Sequence, residues 1–274
     1  MDRGTLPRHP LSAPGFRFWF ICWCDLKLLL TYRLARIAFH LSCGMAKSAV
    51  LFPWLDLEGR NRRIRRWSTQ LLDICGVHVE QPAASMPALA HAMVVANHVS
   101  WLDIFVINAV HPCRFVAKAE IRAWPILGWL AGRAGTIFIS RGSKRDLRLI
   151  FQGLVDKLTA GERIAFFPEG TTAAQGQILP FHANLFEAAI DAQVPVQPFA
   201  LVYVDDKGAL HHAVDFIGEM SFAQSMVAIL SGPPITARLT CLASVATADA
   251  HRRELAAATQ AAVAAALPLE QLNS

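Results

Sequence analysis

The chain has 274 residues, 54% of them hydrophobic and 17% charged, with a formal net charge of +5. That length suits one large domain or two small ones, and the apolar excess departs from an ordinary soluble domain. Basic and apolar together favour an anionic membrane surface over DNA, and no run reads as a simple membrane-spanning helix.

Residues 1–15 are polar and proline-rich and read as a loose tail. The apolar run that follows holds Asp25 and Lys27 and lacks a clear cleavage site, which argues against a secretory signal. Residues 16 to about 55 read as helix, with Gly44 and Pro53 expected to divide it. On a helical wheel Asp25, Arg33, Arg36, His40 and Lys47 share an arc of about 80°. The rest is mostly Phe, Trp, Leu, Ile and Ala, with Arg17 and Lys27 as exceptions. Such a segment is expected to lie in a membrane interface; a helix capping a soluble core is the plainer alternative.

GRNRRIRRWS, residues 59–68, places Arg60, Arg62, Arg63, Arg65 and Arg66 in the densest basic cluster of the chain. Cations beside an apolar helix are drawn to acidic head groups by about 1 kcal/mol each. Nucleic acid would need aromatic stacking platforms or a docking motif, which Trp67 alone does not supply, so no nucleic-acid partner is expected. The six cysteines, at 22, 24, 43, 75, 113 and 241, form no C-x-x-C pair or zinc spacing and read as reduced, mostly buried thiols.

From about residue 90 short apolar runs alternate with helical patterns. Strands are predicted at 93–96, 114–117, 136–139, 163–167, 196–204 and 235–242. Helices are predicted at 101–110, 124–132, 144–159, 182–192, 221–230 and 248–266. The expected organisation is a tail (1–15), a helical membrane-interface segment carrying the basic cluster (16–75), and an α/β domain (76–274) with a mostly parallel sheet flanked by helices.

NHVSWLD, residues 97–103, directly follows a predicted strand and puts His98 at a strand's carboxyl end, where open α/β sheets collect ligands. Ser100 reads as the N-cap of the next helix and Asp103 falls in its first turn. A carboxylate on one imidazole nitrogen fixes the tautomer and leaves the other free to take a proton. The plainer reading of Asp103 is a first-turn acid favoured by the helix dipole. No G-x-S-x-G occurs, and no serine or cysteine stands where a nucleophile would. The substrate's own hydroxyl is then the nucleophile, deprotonated by His98 for attack on an activated acyl group.

FFPEGTT, residues 166–172, also follows a strand. Gly170 permits close backbone approach, and Glu169 could hold a hydroxyl or orient a turn. Thr171 and Thr172 offer hydroxyls, against a plain turn as the alternative. Arg141 follows strand 136–139 and Lys118 follows strand 114–117, both placed to meet an anionic group or simply to face solvent. These strand ends converge on one crevice if the strands are neighbours.

Together these residues resemble the glycerolipid acyltransferases that include the 1-acylglycerol-3-phosphate acyltransferases. The blocks are N-H-x-x-x-x-D (Asn97, His98, Asp103), a Gly-x-Ile-x-Ile strand with a following arginine (Gly135 to Arg141), F-P-E-G-T (Phe167 to Thr171) and V-P-x-x-P (Val194, Pro195, Pro198). The resemblance implies transfer of a fatty acyl chain from acyl-CoA or acyl-carrier protein to a lysolipid hydroxyl, without metal or bound cofactor. His98 would be the base and Asp103 its partner. Arg141 and Lys118 would bind the head group, and Glu169, Gly170, Thr171 and Thr172 would shape the acceptor site. The implied partners are membrane lipids and an acyl-carrier protein, and the implied place is peripheral, on the cytoplasmic face of the inner or cytoplasmic membrane.

Two stretches depart from the pattern. Many members using lysophosphatidic acid carry Arg where this chain has Thr172. His182 and Asn184 stand where a basic residue and Gly are frequent. The expected acceptor is 1-acyl-sn-glycerol-3-phosphate, giving phosphatidic acid. Lyso-ornithine lipid is the alternative, and a non-catalytic lipid-binding protein on the same fold is the alternative of another class.

Overall fold

The computed structural model describes residues 15–124, 126–139 and 144–268, with backbone alone for 15–26, 127 and 144–147. The tail expected over 1–15 lies outside the described residues except for Gly15.

Helix α1 (Gly15–Leu51) runs unbroken through Gly44, contrary to the sequence expectation. A Cβ at Gly44 would sit 2.5 Å from the Trp67 indole nitrogen. This glycine therefore lets α1 close on α2 (Leu57–Cys75) rather than breaking a helix. Pro53 does end α1, in a short 3-10 turn, Phe52–Trp54. Asp56 then caps α2 by accepting from the Gly59 amide at 2.8 Å.

The polar arc of α1 is not uniformly turned to solvent. Arg33 donates to the Leu230 carbonyl at 2.7 Å. His40 bonds the Trp67 carbonyl at 3.0 Å and stacks on its ring at 4.8 Å. Arg33 turns inward because the Leu230 carbonyl, in the last turn of the helix Phe222–Ser231, lacks an intrahelical partner. Arg36 and Lys47 remain exposed, near Leu28 (75% exposed) and Phe39 (73%). Asp25 and Arg17, as well as Cys22 and Cys24, have side chains outside the described residues. Among the described residues no helix is long and apolar enough to cross a membrane.

Three members of the arginine cluster bond protein acceptors. Arg60 donates to the Phe52 and Leu55 carbonyls, both at 3.0 Å. Arg62 meets Glu58 at 2.5 Å, and Arg65 meets the Val110 carbonyl at 2.8 Å. Arg63 and Arg66 are exposed.

The strands are β1 (Val77–Glu80), β2 (Met93–Ala96), β3 (Arg114–Lys118), β4 (Ile137–Ile139), β5 (Ile164–Phe166), β6 (Val196–Val204) and β7 (Ile235–Cys241). They form one sheet in the order β1-β7-β6-β2-β5-β3-β4, parallel throughout except between β6 and β7. All but β1 stand where the sequence placed them. Helices α3 (Asp103–Val110), α4 (Leu127–Arg133), α5 (Lys144–Thr159), α6 (Glu187–Asp191), α7 (Phe222–Ser231) and α8 (Arg252–Ala266) complete the fold. Every residue of β2 is buried. Val94 and Ala96 join the core beneath α2, α3 and α7, whereas Met93 and Val95 join the core beneath α5, α6 and α8. Burial on both faces is why the central strands read as continuous apolar runs.

Candidate active site

Strands β2, β5, β3 and β4 are neighbours and parallel, so their carboxyl ends share one edge. His98 follows β2, Glu169 follows β5, and Lys118 ends β3, its side chain exposed. At about 4.8 Å per strand, Lys118 lies roughly 10 Å along the edge from the end of β2. Arg141 itself, two residues past β4, lies outside the described residues.

Asn97 sets the exit of the chain from β2. Its amide donates to the Leu201 carbonyl at 2.9 Å and accepts from the Leu201 amide at 2.8 Å. The side chain thus continues the β2–β6 ladder after the backbone has turned away. His98 is thereby thrown onto the rim of the sheet, its ring stacked on Phe167 at 3.9 Å and 6°.

The His98 Nδ1 lies 2.7 Å from the Asp103 Oδ2, which also accepts the amides of Val99 (2.7 Å) and Ser100 (3.0 Å). Asp103 is wholly buried, whereas the His98 side chain is 20% exposed. With Nδ1–H held by the carboxylate, Nε2 is the nitrogen free to accept a proton from a ligand. Asp103 is also the first residue of α3, so its carboxylate holds both the imidazole and the amides of the turn that starts the helix. Ser100 does not cap α3: the N-cap position falls on Leu102, no side chain caps the helix, and the Ser100 hydroxyl is buried without a partner among the described residues.

Glu169 is 4% exposed, and both its oxygens meet backbone amides, His98 at 2.8 Å and Leu179 at 2.8 Å. Burial pushes its carboxyl above the ordinary value, against the pull of those two amides. Gly170 has φ of 70°, a left-handed turn, and faces the His182 ring. Thr171 is exposed, while the Thr172 hydroxyl donates to the Phe216 carbonyl. The Ala173 amide donates to the His98 carbonyl at 2.8 Å, and the Phe216 amide to the Val99 carbonyl at 3.1 Å. Segments 97–103, 167–173 and 216 are thus tied into one unit around the imidazole.

One residue of this unit escaped the sequence reading. Tyr203, on β6 and wholly buried, donates to the Asp103 Oδ1 at 2.6 Å. Burial, then the neighbouring Asp103 charge, holds its phenol well above the ordinary value, so it stays protonated. The available signal was a tyrosine, one of only two, inside an otherwise apolar central strand, since a buried phenol needs a partner.

A cavity of about 420 Å3, lined by Asp56, Asn61, Arg114 and Glu162, lies at the opposite, amino-terminal edge of the strands and holds none of these groups. The described cysteines are free, and burial pushes the thiols of Cys75 and Cys113 up to about 12, which makes those two inert.

A buried carboxylate on a partly exposed imidazole, at the carboxyl edge of a mostly parallel sheet and with no serine or cysteine bonded to that imidazole among the described residues, is an arrangement able to take a proton from a group that a substrate brings. The family model described as Acyltransferase matches residues 77–202. The lyso-ornithine lipid O-acyltransferase of Pseudomonas aeruginosa is 37% identical over 251 residues, covering 88% of this chain and 94% of that protein. The 1-acyl-sn-glycerol-3-phosphate acyltransferase of Neisseria meningitidis is 45% identical over 154 residues, or 55% of this chain and 59% of that protein. The crystal structure of the 1-acyl-sn-glycerophosphate acyltransferase PlsC from Thermotoga maritima shares the fold, with a TM-score of 0.67 at 20% identity, covering 89% of this chain and 95% of that chain. The chain belongs to the acyltransferase family and is an acyl-transferring enzyme.

Proposed function

We propose that the protein is a lysolipid O-acyltransferase working at a membrane surface, with acyl-CoA or acyl-carrier protein as donor and 1-acyl-sn-glycerol-3-phosphate as acceptor. The observation that carries the reading is the buried Asp103 on one nitrogen of a partly open His98. His98 Nε2 takes the proton of the acceptor hydroxyl as its oxygen attacks the thioester carbonyl. The thiolate then leaves and receives that proton from the imidazolium, giving one ester and one free thiol. No protein nucleophile or bound cofactor is needed. Lys118 and Arg141 are assigned to the acceptor's anionic head group. Glu169, Gly170, Thr171 and Thr172 shape the rim on which the acceptor sits. The exposed apolar residues of α1, with Arg36, Lys47, Arg63 and Arg66, are assigned to anionic lipid on the cytoplasmic face.

Lyso-ornithine lipid is a second acceptor reading, favoured by two observations. The relative matched over 94% of its length carries that name. Thr172, where an arginine would meet phosphate, instead bonds the Phe216 carbonyl. Competition of the two lysolipids for one labelled acyl donor tests both readings. Preferential acylation of lysophosphatidic acid supports the first, and preferential acylation of lyso-ornithine lipid replaces it with the second. Tight lipid binding with no acylation from either donor class would instead make the chain a lipid-binding protein on this fold.

A further inference from the structure

We propose that Tyr203 is a positioning residue for catalysis: its phenol locks the Asp103 carboxylate so that Oδ2 faces His98. The inference rests on the base–carboxylate reading above.

Three of the four donors on Asp103 converge on Oδ2, and all come from the adjoining segment, residues 98 to 100. The donor on Oδ1 comes from 100 residues away in sequence, on the central strand β6. Asp103 is shielded from water, and a buried anionic oxygen without a donor is costly. Without the phenol, Oδ1 loses that donor, and the carboxylate is free to turn about its last bond or to take up a proton.

Tyr203 is itself held from two sides. Its backbone amide donates to the Gln175 Oε1 at 2.6 Å, and its carbonyl accepts the His211 amide at 3.0 Å. Gln175 follows the 166–172 motif closely, so the loop shaping the acceptor side also fixes the strand segment that carries the phenol. Two residues earlier on β6, Leu201 takes the Asn97 clamp. The same strand thereby sets both the departure of His98 from β2 and the orientation of its acid partner.

Loss of the phenol strengthens the hold on a proton within the dyad, whether the proton sits on the carboxylate or on the imidazole. In either case the active form, with a neutral imidazole and an ionised Asp103, is reached only at higher pH.

The test is Tyr203→Phe, an isosteric change at a packed position. Steady-state acyl transfer is measured across pH, together with thermal unfolding and a cycle with Asp103→Asn. The expected result is a fall of about tenfold or more in kcat near neutrality, with KM for donor and acceptor within about twofold. The acid limb of the rate profile moves to higher pH, and the deficit shrinks as pH rises. In the Asp103→Asn background the second change adds less than about threefold. A uniform loss at every pH, or losses that multiply across the cycle, overturns the proposal and leaves Tyr203 a packing residue. Misfolding of the variant appears separately in the melting curve, and protein carrying 3-fluorotyrosine at its two tyrosines then decides: the fluorinated phenol is a stronger donor to Oδ1, so an acid limb that moves to lower pH supports the proposal and one that stays in place overturns it. Near-wild-type turnover by Asp103→Asn alone marks failure of the underlying dyad reading instead.

Discussion

Replacing Asp103 with asparagine separates geometry from charge. The Oδ2 position accepts three N–H donors, whereas the Oδ1 position meets a hydroxyl, which can donate or accept. The amide oxygen therefore settles at Oδ2 and the amide nitrogen points at Tyr203, whose hydroxyl turns to accept from it. His98 keeps its tautomer and its place; the missing feature is the negative charge facing the imidazolium that forms during transfer. With the Nδ1–Oδ2 distance at 2.7 Å, the centres of the two delocalised charges are about 4 Å apart. At an effective dielectric near 20 the attraction is about 4 kcal/mol, or about a thousandfold in rate. Initial rates of acyl transfer by purified Asp103→Asn should show kcat lower by about that factor, with KM little changed and the fold intact by circular dichroism. A folded variant within tenfold of wild type would refute the charge argument.

Asn97→Ala removes both bonds to Leu201 and leaves its buried amide and carbonyl without partners; stability should fall by about 2 kcal/mol or more in urea titrations, and activity with it. Glu169→Gln turns an amide nitrogen toward either the His98 or the Leu179 backbone amide, a donor against a donor; about 1–3 kcal/mol should be lost in the same titrations. The Glu169 carboxyl is pushed up by burial, so the folded state binds its proton more readily than the unfolded state. The stability advantage of wild type over Glu169→Gln should accordingly narrow as pH rises from 4.5 towards the raised value, and widening over that range would contradict the assignment. Gly44→Ala places a methyl group 2.5 Å from the Trp67 indole nitrogen and should cost about 1–3 kcal/mol by prying α1 from α2; an unchanged melting temperature would contradict this.

The sheet was legible because its central strands, buried on both faces, leave short apolar runs bounded by turn residues. The strand β1 was not: of its four residues only Val77 is fully buried, and it follows α2 with one intervening glycine. Local pattern cannot separate so short an edge strand from a helix tail. His98, Asp103 and Glu169 stood out because each follows a strand end. That Glu169 holds the His98 and Leu179 amides depends on contacts 71 and 10 residues apart, which a single sequence does not display. Tyr203 stayed hidden for the same reason. On α1, helical periodicity grouped Arg33 with Arg36, yet whether a cation on that arc faces solvent or the Leu230 carbonyl depends on where α7 packs. Gly44 was misread because a glycine's missing side chain serves packing as readily as it serves a break.

The most direct test of the central claim is the rate at which purified protein moves a labelled acyl chain from a thioester donor to a lysolipid hydroxyl, wild type against His98→Ala. Wild type should form the ester and release one thiol for each chain transferred. The variant, folded and still binding lipid, should fall by at least about a thousandfold. Undiminished transfer by His98→Ala would contradict the account of His98 as the base.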